Sequence, residues 1–157
     1  DERRQPAGAL KSLVPWVLDD VAVRNNVLSF GKDSSTCPIL AQDAERKLGG
    51  AKFGVSMDSN VYHRHSSSAP ANFACWAAGA AGTKSVKNLS EFTAFTGNDK
   101  RSALWTGDAI VSSSLAVRKD VLTAPRATLV GVPSSVAASI GVEAGAKRPG
   151  AFSTPLQ

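Results

Sequence analysis

Aromatic side chains are scarce: six Phe, three Trp and one Tyr make up 6% of 157 residues. A face of stacked rings for gripping nucleobases therefore has little material. Cysteine and histidine are scarcer still, and Cys37, Cys75, His63 and His65 are the whole supply for thiolate, imidazole or soft-metal chemistry. No run approaches the roughly 20 apolar residues that cross a bilayer, so no membrane span is expected. Walker A, GxGxxG, HExxH, EF-hand and GxSxG patterns are absent, which argues against nucleotide-dependent chemistry and implies no cofactor.

What is present suits a packed core. Hydrophobic residues are 43% and charged residues 20%, and the length matches a single domain over residues 1–157. Residues 1–9 and about 146–157 read as extended or mobile ends. The formal net charge is +5. Residues 1–80 hold nine Lys/Arg against eight Asp/Glu, and residues 81–157 hold nine against five, so the excess lies in the second half. It comes as spaced pairs, Lys100-Arg101 and Arg118-Lys119 among them, which suits a solvated surface with weak, non-specific polyanion binding at most.

Residue 1 is Asp and the single methionine is Met57, which points to a processed chain. The final Ser153-Thr154-Pro155-Leu156-Gln157 resembles the end a viral 3C-like protease leaves after cutting behind Leu-Gln. That resemblance implies a processed viral polyprotein product; a virion or secreted, extracytoplasmic location is expected over a cytoplasmic one.

Local periodicity predicts helices in the first part of the chain. Leu10, Leu13, Val14, Val17, Leu18, Val21 and Leu28 share one helical face, giving a helix over 15–28 ended by Gly31. Ser35 or Thr36 caps a second helix, with Ile39, Leu40, Ala44 and Leu48 buried, Asp43 and Lys47 paired, and Gly49-Gly50 as the stop. Alternation then takes over. Phe53, Val55 and Met57 form one strand, Val61–His65 a second, and Asp58-Ser59-Asn60 turns between them as a hairpin. Residues 71–82, ANFACWAAGAAG, are apolar all round and read as a buried central helix. Asn88 and Glu91 are spaced as a capping box for a short helix bearing Leu89, Phe92 and Phe95, closed at Gly97. A helix near 103–112 and strands near 114–124 and 127–132 complete the reading. No repeat at a fixed period stands out.

Three constellations are candidates for chemistry. His63 and His65, two apart on a strand, face the same way and could share a metal ion, with Cys37 and Cys75 as further ligands. Cys75 near a helix start, followed by Trp76, resembles the nucleophile placement of papain-like hydrolases in that one respect, with His63 or His65 as base and Asp58 or Asn72 orienting it. His65-Ser66 with Asp58 would be a Ser-His-Asp variant. Against these stand a Cys37–Cys75 disulfide and solvent-facing histidines. Closing a loop of about 38 residues would stabilise by roughly 3–4 kcal/mol on the chain-entropy model. The combined expectation is an α+β domain with N-terminal helices, a central hairpin, a buried Ala/Gly-rich helix and a mixed C-terminal part. Its expected role is non-enzymatic: a structural, assembly or protein-interaction module with a protein partner or self-assembly. The alternatives are a Cys/His hydrolase and a nucleic-acid-contacting subunit.

Overall fold

The valines around residue 25 serve strands and not a helix. In the computed structural model, which describes residues 20–31, 37–110, 131, 133–140 and 143–145, Val21–Arg24 (β1) and Val27–Ser29 (β2) are extended. The corner between them is Asn25-Asn26, with Asn25 at φ 58°. Asn tolerates this left-handed conformation better than most residues, and one such residue ends any helix. Val21 and Val23 alternate with Ala22 and Arg24, so the period-2 pattern prevails over the coarser helical spacing of the same residues.

The second expected helix fails for a similar reason. Ile39–Ala41 is a strand, β3. Beyond it, the Asp43 carboxylate accepts the backbone N–H groups of Glu45 (2.9 Å), Lys47 (2.6 Å) and Leu48 (2.7 Å), closing a loop in place of a helical turn. Lys47 pairs with Glu45 at 2.6 Å. The Ser35/Thr36 cap lies outside the described residues.

Val55–Asp58 (β4) and Val61–Arg64 (β5) are strands as expected, but they do not pair with each other. Each lies parallel to a strand from the earlier pass of the chain: Val21 beside Val55, and Val27 beside Val61. Ala74–Ala77 (β6) likewise lies parallel to β3, Ile39 beside Ala74. The chain thus passes through three sheets in turn as β1, β2 and β3. It returns through the same three as β4, β5 and β6, which is the geometry of a parallel β-solenoid.

The expected buried helix over 71–82 is therefore β6 followed by a one-turn 3₁₀ segment, Gly79–Ala81. A strand buried on both faces is apolar all round, as a buried helix is, so the pattern could not separate them. Gly79 (φ 60°) and Gly82 (φ 81°) reverse the chain into Thr83–Val86 (β7), antiparallel to β6. The short helix is where the capping box put it: Leu89–Thr96 (α1), Asn88 accepting the Glu91 N–H and Gly97 in the left-handed cap. Ala103–Thr106 is a strand, β8, stacked on β5, which corrects the helix expected near 103. Ser134–Ile140 forms a second helix, α2. The strands expected near 114–124 and 127–132 (residue 131 apart) and both chain ends lie outside the described residues. The α+β expectation gives way to a strand-rich architecture of three sheets.

Six of the ten aromatic residues are spent in one continuous cluster inside the coil. Phe30, Tyr62, Phe73, Phe92, Trp76 and Phe53 follow one another at centroid separations of 4.9–6.3 Å along that path. Edge-to-face geometry dominates, as the ring quadrupoles favour. Leu28, Tyr62 and Leu104 are level with one another on β2, β5 and β8 and all join this core. Trp76 donates its indole N–H to the Gly50 carbonyl at 3.1 Å, so the largest buried side chain keeps a partner.

Candidate functional site

Strand alternation sends residue 63 the opposite way from Tyr62, onto the outer face of the middle sheet. There His63 is level with Ser29 on β2 and Trp105 on β8. Its ring is 4% exposed, and both nitrogens are engaged: Nδ1 with Ser29 Oγ at 2.8 Å, Nε2 with the Gly107 carbonyl at 2.9 Å. A carbonyl only accepts, so Nε2 carries the hydrogen, and in the neutral ring Nδ1 accepts from the Ser29 hydroxyl. His65 falls beyond the end of β5 and is exposed. The two histidines are thus not twin ligands on one strand face. No group of three or more His, Cys, Asp or Glu suited to a metal ion occurs among the described residues.

Cys75 sits on β6, in a different sheet from His63. Cys37 and Cys75 stand at disulfide distance, Cα–Cα 5.4 Å, and Cys75 Sγ is also 3.3 Å from Ser85 Oγ. The residues considered as orienters are occupied elsewhere. Asn72 accepts from Lys87 Nζ at 2.9 Å and donates towards Cys37 Sγ at 3.7 Å. Ser66 Oγ is 3.3 Å from Ser68 Oγ. Asp58 holds Arg101 through its backbone N–H (2.9 Å), Nε (2.7 Å) and Nη2 (2.5 Å). Burial raises the Asp58 carboxyl, but the hydrogen bonds and charge of Arg101 outweigh it and hold the group below its ordinary value. Arg101 is therefore held by Asp58 while its side chain stays about half exposed, at 49%. Arg118-Lys119 lies outside the described residues.

The polar cluster that sequence reasoning missed is at the corner between the first two sheets. Asn60, fully buried, donates Nδ2 to Val23 O (3.0 Å), Tyr62 Oη (3.3 Å) and Asp99 Oδ1 (3.1 Å). Its Oδ1 accepts the backbone N–H and side-chain amide of Asn26, and its own N–H reaches Ser102 Oγ at 2.8 Å. Asn26, Asn60 and Ser102 immediately precede the stacked residues Val27, Val61 and Ala103, so each coil contributes one polar residue to the corner. Asp99 receives Tyr62 Oη (2.8 Å) and Ser102 Oγ (2.5 Å) as well. Burial nevertheless leaves the Asp99 carboxyl above its ordinary value, and burial together with Asp99 raises the Tyr62 phenol. The signal was in the sequence: Val21-x-Val23-x-x-Asn26-Val27 recurs as Val55-x-Met57-x-x-Asn60-Val61, in the same register as the ladders.

Buried on the inner side, Arg64 donates to the carbonyls of Lys87 (2.9 Å) and Pro70, while its Nε has no partner among the described residues. Burial lowers its pKa from the ordinary guanidinium value.

Comparison with protein-family models, with curated proteins and with solved structures finds no match for this chain.

Proposed function

We propose that the chain is a non-enzymatic assembly module whose first coil offers strand edges for a second copy to stack upon. One observation carries this reading. Among the described residues, β1, β2 and β3 each pair on one side only, and all three lie at the same end of the stack. Consecutive unpaired edges of this kind are templates for strand addition. Three of the side chains considered for catalysis have structural contacts, His63 with Ser29 and Gly107, Asp58 with Arg101, and Cys75 beside Cys37, while His65 is exposed. Read as a disulfide, the cysteine pair also fits maturation in an oxidising compartment.

Backbone directions supply the test. Val21 N–H bonds the Gly54 carbonyl at 3.2 Å, so alternation turns the Ala22 N–H to the opposite, open edge. Ala22→Pro removes that donor and leaves the β1–β4 ladder its own bonds. Sedimentation velocity over a concentration series should show self-association by the native chain, weakened at least ten-fold by Ala22→Pro. A native chain that stays monomeric at high concentration, or a variant that associates equally well, would sink the proposal.

A further inference from the structure

Two lysines of the β3–β4 connection, Lys47 and Lys52, stand at the end of the coil where the loop after β3 meets the turn after β6. An open cavity of about 260 Å³ there is lined by Lys47, Gly49, Gly50, Lys52, Ala78, Gly79 and Phe95. Its floor is backbone because the sequence permits nothing else. A Cβ on Gly49 would stand 2.4 Å from the Gly79 nitrogen, and Gly50 (φ 55°) and Gly79 (φ 60°) adopt the left-handed conformation that side chains disfavour. The Gly49–Ala78 bridge and the hydrogen bond from Gly79 N–H to Leu48 O (3.0 Å) fix the two loops against each other, so the cavity belongs to the ladder framework.

Charge around it is mainly positive. Lys47 and Lys52 line the cavity, Lys84 Nζ lies 4.5 Å from the centre of the Phe95 ring, and the Arg46 guanidinium lies against Gly82. Glu45, more than half exposed, is the acid that pairs within this cluster, with Lys47 at 2.6 Å. The Asp43 carboxylate is turned inward on three backbone N–H groups, which hold it below its ordinary value. Such a concentration of positive charge over a backbone floor selects an anion.

The size and the donors narrow its chemistry. The volume falls just under the range of about 300–1,000 Å³ common for drug-sized ligands, so the occupant is small. The lining cations are lysines, compact point charges of the kind that hold phosphate groups. Lys84 covers the Phe95 ring, which removes the surface on which a nucleobase would stack. We infer that the pocket of Lys47, Gly49, Gly50, Lys52 and Gly79 binds a tetrahedral oxyanion, a phosphate or sulfate group carried by a small molecule. This site is independent of the strand edges invoked for assembly.

Inorganic phosphate, titrated into the full chain at constant ionic strength, is the probe, read by the backbone amide shifts of the glycines. Saturable shifts are expected at Gly49, Gly50 and Gly79. The double substitution Lys47→Gln/Lys52→Gln should weaken binding at least ten-fold with an unchanged melting temperature. Lys100→Gln, at an exposed lysine away from the cavity, should leave binding as it is. Sulfate competing equally would support a site for either ester, and a ten-fold preference would name which one. Shifts that do not saturate, or an affinity untouched by the double substitution, would overturn the inference. So would a single-stranded oligonucleotide that binds while phosphate leaves these glycines unmoved, since that result belongs to an extended polyanion surface.

Discussion

Replacing Asn60 by alanine tests the corner between the first two sheets most directly. The side chain is fully buried and its truncation takes one hydrogen bond from each of three groups: the Asn26 N–H, the Val23 carbonyl and Asp99 Oδ1. A buried polar group deprived of its hydrogen bond costs about 1–3 kcal/mol. Asp99 is 2% exposed but its Oδ1 keeps the Ser102 hydroxyl at 2.5 Å, and Asn26 and Val23 are half-buried and recover part of theirs from water, so none of the three bears the full cost. The sum is about 2–3 kcal/mol, a large share of the roughly 5–15 kcal/mol that holds a domain folded. Urea unfolding should show the midpoint fall by roughly 1–2 M with the slope unchanged. Asn60→Asp keeps the shape but turns the Nδ2 donor into an acceptor facing Asp99 Oδ1 and Val23 O. It should therefore cost more than alanine at neutral pH and recover in acid as the carboxylates protonate. A loss under about 0.5 kcal/mol for Asn60→Ala, the size of an ordinary surface change, would refute the corner's role.

Asp99 and the glycines give further tests. The Asp99 carboxyl is raised in the folded chain, chiefly by burial, so the unfolded chain ionises first as pH rises. Its contribution is fully present below the ordinary carboxyl range and is lost as pH climbs towards the raised value. Asp99→Asn should flatten that decline in urea midpoints taken across the acid range, and an unaltered profile would disprove the assignment. Gly49→Ala should cost about 1–3 kcal/mol or more by overpacking, because its new Cβ meets the backbone of Ala78 and Gly79. Gly97→Ala meets open space and should cost only about 1 kcal/mol through its φ of 74°. Equal melting temperatures for the two variants would contradict this ordering.

How much of this was legible in the sequence follows from the range of the interactions involved. The helix Leu89–Thr96 was legible because its signals are local: the Asn88 cap, Glu91 three residues later and Gly97 all act within one or two turns. The strands at Val55–Asp58 and Val61–Arg64 were legible from alternation, yet their pairing was not. Two strands joined by a short turn suggest a hairpin, and nothing local reveals that each has its partner a full coil earlier, at Val21–Arg24 and Val27–Ser29. Val21–Ser29 and Ala74–Ala77 misled because Val, Leu, Ala and Trp at those spacings satisfy either period, and burial on both faces erases alternation. The recurring Val-x-apolar-x-x-Asn-Val pattern was the available clue. With two copies and one substitution it is faint beside a long repeat array. For the site, residue identity drew attention to His63 and Cys75, whereas the glycine-floored pocket depends on loops that meet only in the fold.

The shared offset of the first two ladders also bears on the order in which the chain assembles. Bringing β4 onto β1 closes the loop from Val21 to Val55, an entropic cost that grows only slowly with length. Once that ladder is set, the short corners Asn25-Asn26 and Ser59-Asn60 leave β5 and β2 almost in register. Loop closure therefore weighs most on the first ladder and less on its successors. In hydrogen exchange, β1–β4 and β2–β5 should then lose protection together, as one cooperative unit. β8 reaches its place on β5 only after the chain has run through β6, β7 and α1, so its amides should exchange through a separate and easier opening.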